Sequence, residues 1–203
     1  MSDPASAPAT TPVADPTADP APLLLMICTG NICRSPAAEL RLADALGPDA
    51  GLSVASAGTH AVVGAPVHPP MARLLADAGT ANDGFLARQL TPALVADAAV
   101  VVTATRGHRG HVVELVPAAV RRAFTLRELA RFAGAVAPEL PAGTPAERLA
   151  ALLPLAAAQR GRVPVTPADD DIDDPYQRGD AAYARAFGQV RDATDALARV
   201  LLG

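Results

Sequence analysis

The chain has 203 residues, 50% of them hydrophobic and 19% charged, with a formal net charge of −4. That composition supports one sizeable domain with a buried core and excludes wholesale disorder. The acidic balance argues against a nucleic-acid binder that works by bulk electrostatics, and two cysteines are too few for the disulfide framework of a secreted domain.

Residues 1–21 are Pro, Ala, Thr, Ser and Asp, with almost no side chain large enough to pack, and they read as a disordered tail. No basic segment precedes an apolar one there, so no secretory signal is read, and no apolar run is long enough to span a bilayer. The sequence therefore predicts a cytoplasmic protein with no membrane partner. Order is expected from residue 22 onward.

Leu23–Cys28 is a continuous apolar run of strand length, suited to a strand covered on both faces. Arg34–Leu46 has helical spacing, with Pro36 near its start and Gly47-Pro48 after its end. A second strand is predicted at 52–57 and a helix at about 71–78. Thr91-Pro92 caps a short helix before a third buried strand, Ala98–Thr103. A helix over 106–116, a short strand at 123–126 and a short helix over 127–132 follow. The alternation predicts an α/β fold, an open parallel four-stranded sheet with helices on both faces. Residues 133–168 read as an insertion, holding a helix over 144–159 that opens on the capping-box pattern Thr144-Pro145-Ala146-Glu147. The last helix, from about Asp180, carries an apolar stripe of Tyr183, Phe187, Val190, Thr194, Leu197 and Leu201 that should lie on the sheet.

The composition is lopsided: all 17 basic side chains are Arg, and only two Cys, two Asn and three Ile occur. Within it, the eight positions from Ile27 to Arg34 hold both Cys, one Asn and two Ile. Cys28-Thr29-Gly30-Asn31-Ile32-Cys33-Arg34-Ser35 joins a buried strand to a helix N-terminus, where unpaired N–H groups and the helix dipole favour an oxyanion. Gly30 and Asn31 tolerate the left-handed backbone that would curl such a loop inward. Arg34 can return its planar fork to two phosphate oxygens. The same field favours the thiolate of Cys28, to which Ser35 could donate a hydrogen bond. A nucleophile facing a phosphate cradle needs an acid for the departing oxygen, and the run from Asp169 to Tyr176 offers one. A Ca²⁺ loop drawn from that run fits no EF-hand spacing.

Together these motifs are similar to the low-molecular-weight protein tyrosine phosphatase family. Its near-N-terminal Cys-Thr-Gly-Asn-Ile-Cys-Arg-Ser-Pro stands unbroken at 28–36, and its near-C-terminal Asp-Pro-Tyr at 174–176. Ser56-Ala57-Gly58-Thr59 and Ala87-Arg88-Gln89-Leu90 match weaker landmarks. The resemblance implies a monomeric phosphatase acting on phosphotyrosine-bearing proteins without metal or cofactor. Cys28 would be the nucleophile and Asp174 the general acid, with Arg34 and the loop from Thr29 through Gly30, Asn31, Ile32 and Cys33 holding phosphate. Asn31, Ser35 and Ser56 would support the loop, Tyr176 would wall the pocket, and Cys33 could close a reversible disulfide with Cys28. Ile32 favours the tyrosine branch, since relatives that act on phosphoarginine typically carry Thr there.

Three departures stand out. Phe85 replaces a His of the loop-supporting network, Thr105 replaces an Asp after the third strand, and Val62 or His60 stands where a large aromatic is usual. They predict a looser grip on phosphotyrosine, and they motivate an alternative, a catalytically weak phosphate-binding regulatory module. An arsenate reductase of the same fold is the other alternative, requiring thiols beyond Cys28. His60 and His68 fall in a connection that could border the pocket. His108, His111 and Glu114 share a helix face that could sketch a metal site, although exposed polar side chains explain them better. Arg121, Arg122 and Arg127 read as surface charge.

Overall fold

The computed structural model describes residues 21–162 and 166–203. The expected tail lies almost wholly outside the described residues. Four strands, β1 (Leu23–Cys28), β2 (Ser53–Gly58), β3 (Ala98–Thr103) and β4 (Ala123–Thr125), form one parallel sheet in the order β2-β1-β3-β4. Side chains alternate across it. Leu24 and Met26 enter one core with helices α1 (Arg34–Leu46), α2 (Pro69–Asp77), α5 (Leu126–Val136), α6 (Pro145–Ala158) and α8 (Asp180–Leu202). Leu25 and Ile27 enter a smaller core on the other face, beneath α3 (Pro92–Asp97) and α4 (Arg106–Leu115). Continuous burial on both faces explains why β1 and β3 read as unbroken apolar runs.

β1 has β2 on one side and β3 on the other, so the chain reverses its direction of travel across the sheet at the carboxyl end of β1. In open α/β sheets that crevice is where ligands bind. The loop after Cys28 opens into it.

The predicted elements are present, with differences at α5 and at residues 167–170. α5 begins at Leu126 and runs to Val136, because Thr125 and Glu128 close a capping box and Ala133 and Val136 continue the buried face. α6 passes through Pro154, which faces solvent, where a carbonyl freed by proline can be hydrated. A single unpredicted turn, α7 (Pro167–Asp170), is capped by Thr166 and Asp169. The whole predicted stripe of α8 is buried, and this helix packs against α1 and α5 rather than directly on the strands.

Candidate active site

The loop between β1 and α1 is shaped by where its carbonyls go. The oxygens of Cys28, Thr29, Gly30 and Ile32 accept N–H groups from Thr59, His60, Val62 and His68, at 2.8–3.0 Å. With its carbonyls turned outward, the loop turns its N–H groups the other way. Among the described residues, no hydrogen bond is donated by the backbone N–H of residues 29–33. A run of successive N–H groups free of protein partners makes a concavity suited to an anion. Asn31 is fully buried and takes the left-handed conformation, at φ 53°. Gly30 does not, contrary to the sequence reading. Its lack of a Cβ serves close packing, since an added Cβ would stand 3.3 Å from Ile32 Cγ1.

Cys28 is buried, with its Sγ 3.0 Å from Ser35 Oγ. Asn31 Nδ2 donates to Ser35 Oγ at 2.9 Å and to Ser56 Oγ at 2.7 Å, while Asn31 Oδ1 accepts the Arg88 N–H at 2.8 Å. Ser56 Oγ donates in turn to Glu39 Oε2 at 2.5 Å, and Arg88 Nε donates to the Ser56 carbonyl at 2.7 Å. Glu39, which no sequence pattern singles out, thus completes a network that Phe85 was expected to leave open. Burial raises the Glu39 carboxyl above its ordinary range, with Ser56 and Arg88 pulling it back. Gly58, at the end of β2, lets this network close. A Cβ there would overlap the Thr29 carbonyl oxygen and stand 3.0 Å from both Ala61 Cα and Asn31 Cβ.

Arg34 is almost fully buried and meets Asp174 at 2.9 Å, while its Nη1 reaches the Ile172 carbonyl at 3.4 Å. The structure thus brings together the motifs at 28–36 and 174–176 across 138 residues of chain. The loop that carries Asp174 is held from several sides. Ile172 N donates to the Ala104 carbonyl, Arg106 N to Asp171 Oδ1, Arg127 to the Ala168 and Asp171 carbonyls, and Arg131 to Asp170. Each of these aspartates has a separate partner, which is not the arrangement of a Ca²⁺ loop. Arg127 is therefore not mere surface charge, and nor is Arg122, which donates to the Val95 and Ala98 carbonyls at the end of α3.

Cys28, Thr29, Gly30, Ile32, Cys33, Arg34, His60, Val62, Asp174 and Tyr176 line one pocket of about 210 Å³. A larger hollow of about 410 Å³ beside α4 and α5 contains no nucleophile. Tyr176 stands half exposed at the mouth, its ring edge-on to His68 at 5.4 Å between centroids. His68 stacks on Tyr183, whose hydroxyl contacts His68 Nδ1 at 2.9 Å and Cys33 Sγ at 3.9 Å. Burial pushes the Cys33 thiol up to about 12. Both cysteines are free.

His108 is not an exposed surface residue. Its Nε2 lies 2.9 Å from Thr29 Oγ1 and its Nδ1 2.7 Å from Thr105 Oγ1. Burial and then Arg34 push its imidazole down to about 4, with Asp174 and Asp171 opposing. Among the described residues no group of three or more His, Cys, Asp or Glu is placed to hold a metal ion, and no helix is long and apolar enough to cross a membrane.

Comparison with known proteins gives a consistent result. The probable low molecular weight protein-tyrosine-phosphatase EpsP of Ralstonia nicotianae is 34% identical over 109 residues, covering 54% of this chain and 73% of the relative. The protein of the same name from Ralstonia solanacearum is 27% identical over 173 residues, covering 85% of this chain and 91% of the relative. Among solved structures, the Erwinia amylovora tyrosine phosphatase AmsI matches with a TM-score of 0.64 at 20% identity, over 90% of this chain and 95% of its own. The arginine phosphatase YwlE of Geobacillus stearothermophilus also reaches 0.64, at 24% identity, over 87% and 90% of the two chains. At those identities the structures establish the fold. The family profile described as low molecular weight phosphotyrosine protein phosphatase matches residues 23–141, from the first residue of β1 across the whole sheet. With that profile, that fold and an unbroken phosphate-loop motif, this chain belongs to the low molecular weight phosphotyrosine protein phosphatase family.

Proposed function

We propose that the protein hydrolyses phosphotyrosine on protein substrates through a cysteinyl-phosphate intermediate. The observation that carries this reading is the loop itself, whose N–H groups at residues 29–33 have no partner among the described residues and which lines one pocket with a buried Cys28 and a buried Arg34. Cys28 Sγ attacks phosphorus and the bond to the phenolic oxygen breaks. Arg34 and the loop N–H groups hold the equatorial oxygens as charge builds. Asp174 gives its proton to the leaving oxygen. Arg34 pairs with Asp174 at 2.9 Å. An incoming phosphoryl group takes the guanidinium fork and releases the carboxyl to face the leaving oxygen. In the second step Asp174 takes a proton from water, the water oxygen bonds to phosphorus, the S–P bond breaks, and phosphate leaves with the thiolate restored. Ser35, fixed by Asn31, donates its hydroxyl hydrogen to that sulfur.

Tyr176 forms the aromatic wall, and Ile32 adds apolar surface to the pocket floor. Apolar lining suits a phenyl ring better than a guanidinium, which favours phosphotyrosine over phosphoarginine. Arsenate reduction is not favoured, because the matching family profile and the named relatives are those of phosphotyrosine protein phosphatases. The closed network through Glu39 answers the Phe85 part of the motive for a merely phosphate-binding module.

The test is turnover of an aryl phosphate by the pure protein beside Cys28→Ser and Asp174→Ala. Wild-type activity should exceed Cys28→Ser by at least a thousandfold, and Asp174→Ala should lose about 10²–10⁴-fold. Wild-type turnover no better than Cys28→Ser would overturn the proposal.

A further inference from the structure

We propose that the Thr29 hydroxyl donates a hydrogen bond to a phosphoryl oxygen of the bound substrate, and that His108 is the positioning residue that frees it to do so. The inference rests on the phosphate-loop reading above.

The geometry is a three-membered chain, Thr105–His108–Thr29, running from the start of α4 to the residue after the nucleophile. Thr105 caps α4, its Oγ1 accepting the His108 backbone N–H at 3.2 Å, and the Thr105 carbonyl is fixed by Thr103 Oγ1 at 2.9 Å. With that cap made, the hydrogen on Thr105 Oγ1 has a natural acceptor in His108 Nδ1, 2.7 Å away. The ring hydrogen then sits on Nε2 and is donated to Thr29 Oγ1 at 2.9 Å. Thr29 Oγ1 is thereby an acceptor within the protein, and its own hydrogen is left for the pocket that Thr29 lines with Cys28 and Arg34. In the opposite arrangement Thr29 spends its hydrogen on His108, and the Thr105 hydrogen has no acceptor among the hydrogen bonds of the described residues. An oxyanion in the pocket selects the first arrangement, because both the Thr29 O–H and the ring N–H then direct positive ends toward it. A neutral ring is needed to accept from Thr105, and burial beside Arg34 keeps it neutral.

The same first turn of α4 also receives the acid-bearing loop. Arg106 N donates to Asp171 Oδ1 at 2.7 Å, two residues from His108, and Ala104 O accepts Ile172 N at 2.9 Å. One helix start therefore places both the added donor and the loop that carries Asp174. A composition-based reading missed this, since a histidine on a helix face looks like any exposed polar residue. The one available signal is the Thr-x-x-His spacing, which puts the ring back over its own N-cap.

The experiment compares Thr29→Val, Thr29→Ser, His108→Ala, His108→Gln and the double variant Thr29→Val/His108→Ala. The probe is inorganic phosphate, its affinity measured by calorimetry, with kcat and KM for an aryl phosphate measured alongside. A hydrogen bond to a charged ligand predicts about a tenfold loss of phosphate affinity and of kcat/KM in Thr29→Val, and near-wild-type values in Thr29→Ser. His108→Ala should lose a similar factor and the double variant no more than either single one. His108→Gln, whose amide N–H can reach the place of Nε2, should recover most of it. Unchanged phosphate affinity in Thr29→Val, or losses that multiply in the double variant, would overturn the inference. Should His108→Ala fail to fold, the Val and Ser variants at position 29 decide alone. Phosphate binding needs no turnover, so a wild type that binds phosphate without hydrolysing an ester defeats the phosphatase proposal separately.

Discussion

Replacing Gly58 by alanine adds one methyl group at the point where β2 meets the phosphate loop. The new Cβ would overlap the Thr29 carbonyl oxygen and press on Ala61 Cα and Asn31 Cβ, two of these three being backbone atoms that cannot rotate away. Overpacking a rigid site costs about 1–3 kcal/mol, and backbone neighbours place this case near 3. For a domain of this size each kcal/mol is worth about 2–4 °C, so the melting temperature should fall by about 6–12 °C. The functional loss should be larger. Thr29 O accepts the His60 N–H at 3.0 Å, and pushing that carbonyl aside turns the same peptide's N–H away from the pocket. A displacement of about 1 Å in a catalytic constellation costs on the order of a hundredfold in rate.

Gly188→Ala supplies the contrast. It makes the same chemical change inside α8, where an added Cβ meets nothing within 4 Å. Relieving a helix of glycine stabilises it by about 0.5–1 kcal/mol, so this variant should melt about 1–4 °C higher with unchanged turnover. Thermal melts and aryl phosphate kinetics on the two variants read both outcomes. Wild-type melting temperature and kcat in Gly58→Ala would refute the claim that the loop is held by contact with that backbone.

Two further outcomes follow from the titratable groups. His108 is pushed from 6.5 down to about 4, so the unfolded chain binds a proton that the folded chain refuses between those values, and stability falls as pH falls through that window. After discount for partial exposure the loss is about 2 kcal/mol. The melting temperature of His108→Gln should therefore drop less than that of wild type between pH 7 and 4.5, and equal drops would remove the assignment. Peroxide takes Cys28 to a sulfenic acid, and Cys33, which lines the same pocket, can then attack that sulfur as its thiolate, forming the disulfide and releasing water, a step that burial of the Cys33 thiol slows. After excess peroxide, dithiothreitol should restore wild-type activity but not that of Cys33→Ser, and equal recovery would show that Cys33 gives no protection.

What could be read from the sequence was whatever lay contiguous in it. The run from Cys28 to Pro36 carries the proposed nucleophile, cradle and cation in one strand–loop–helix turn, and the alternation of apolar runs with helical spacing is enough for the sheet. What could not be read was contact between ordinary residues far apart in the chain. Arg127 holds the acid-bearing loop 44 residues away at the Asp171 carbonyl, yet as a letter it is one of 17 arginines. Gly58 was visible within a landmark, but its role depends on an oxygen contributed by another loop. The start of α5 was misplaced by one residue because Leu126 suits the end of a strand and the start of a helix equally. Only the Thr125–Glu128 cap decides between them.

How the network closes with Phe85 where the resemblance implied a histidine is best understood by counting hydrogens. Arg88 N–H fixes Asn31 Oδ1, so both Asn31 Nδ2 hydrogens go to hydroxyls, one on Ser35 and one on Ser56. Ser56 then needs an acceptor for its own hydrogen, and Glu39 provides it. With Ser35 accepting from Asn31, the one hydrogen left in the chain points at Cys28 Sγ. The requirement at the far end is therefore for an acceptor within reach of Ser56 and not for imidazole as such. A carboxylate on α1 meets it at 2.5 Å while Phe85 packs against the core. A substitution that looks like the loss of a catalytic support is thus compatible with a fully directed network, because the direction of each hydrogen bond, not the identity of each residue, is what the thiolate requires.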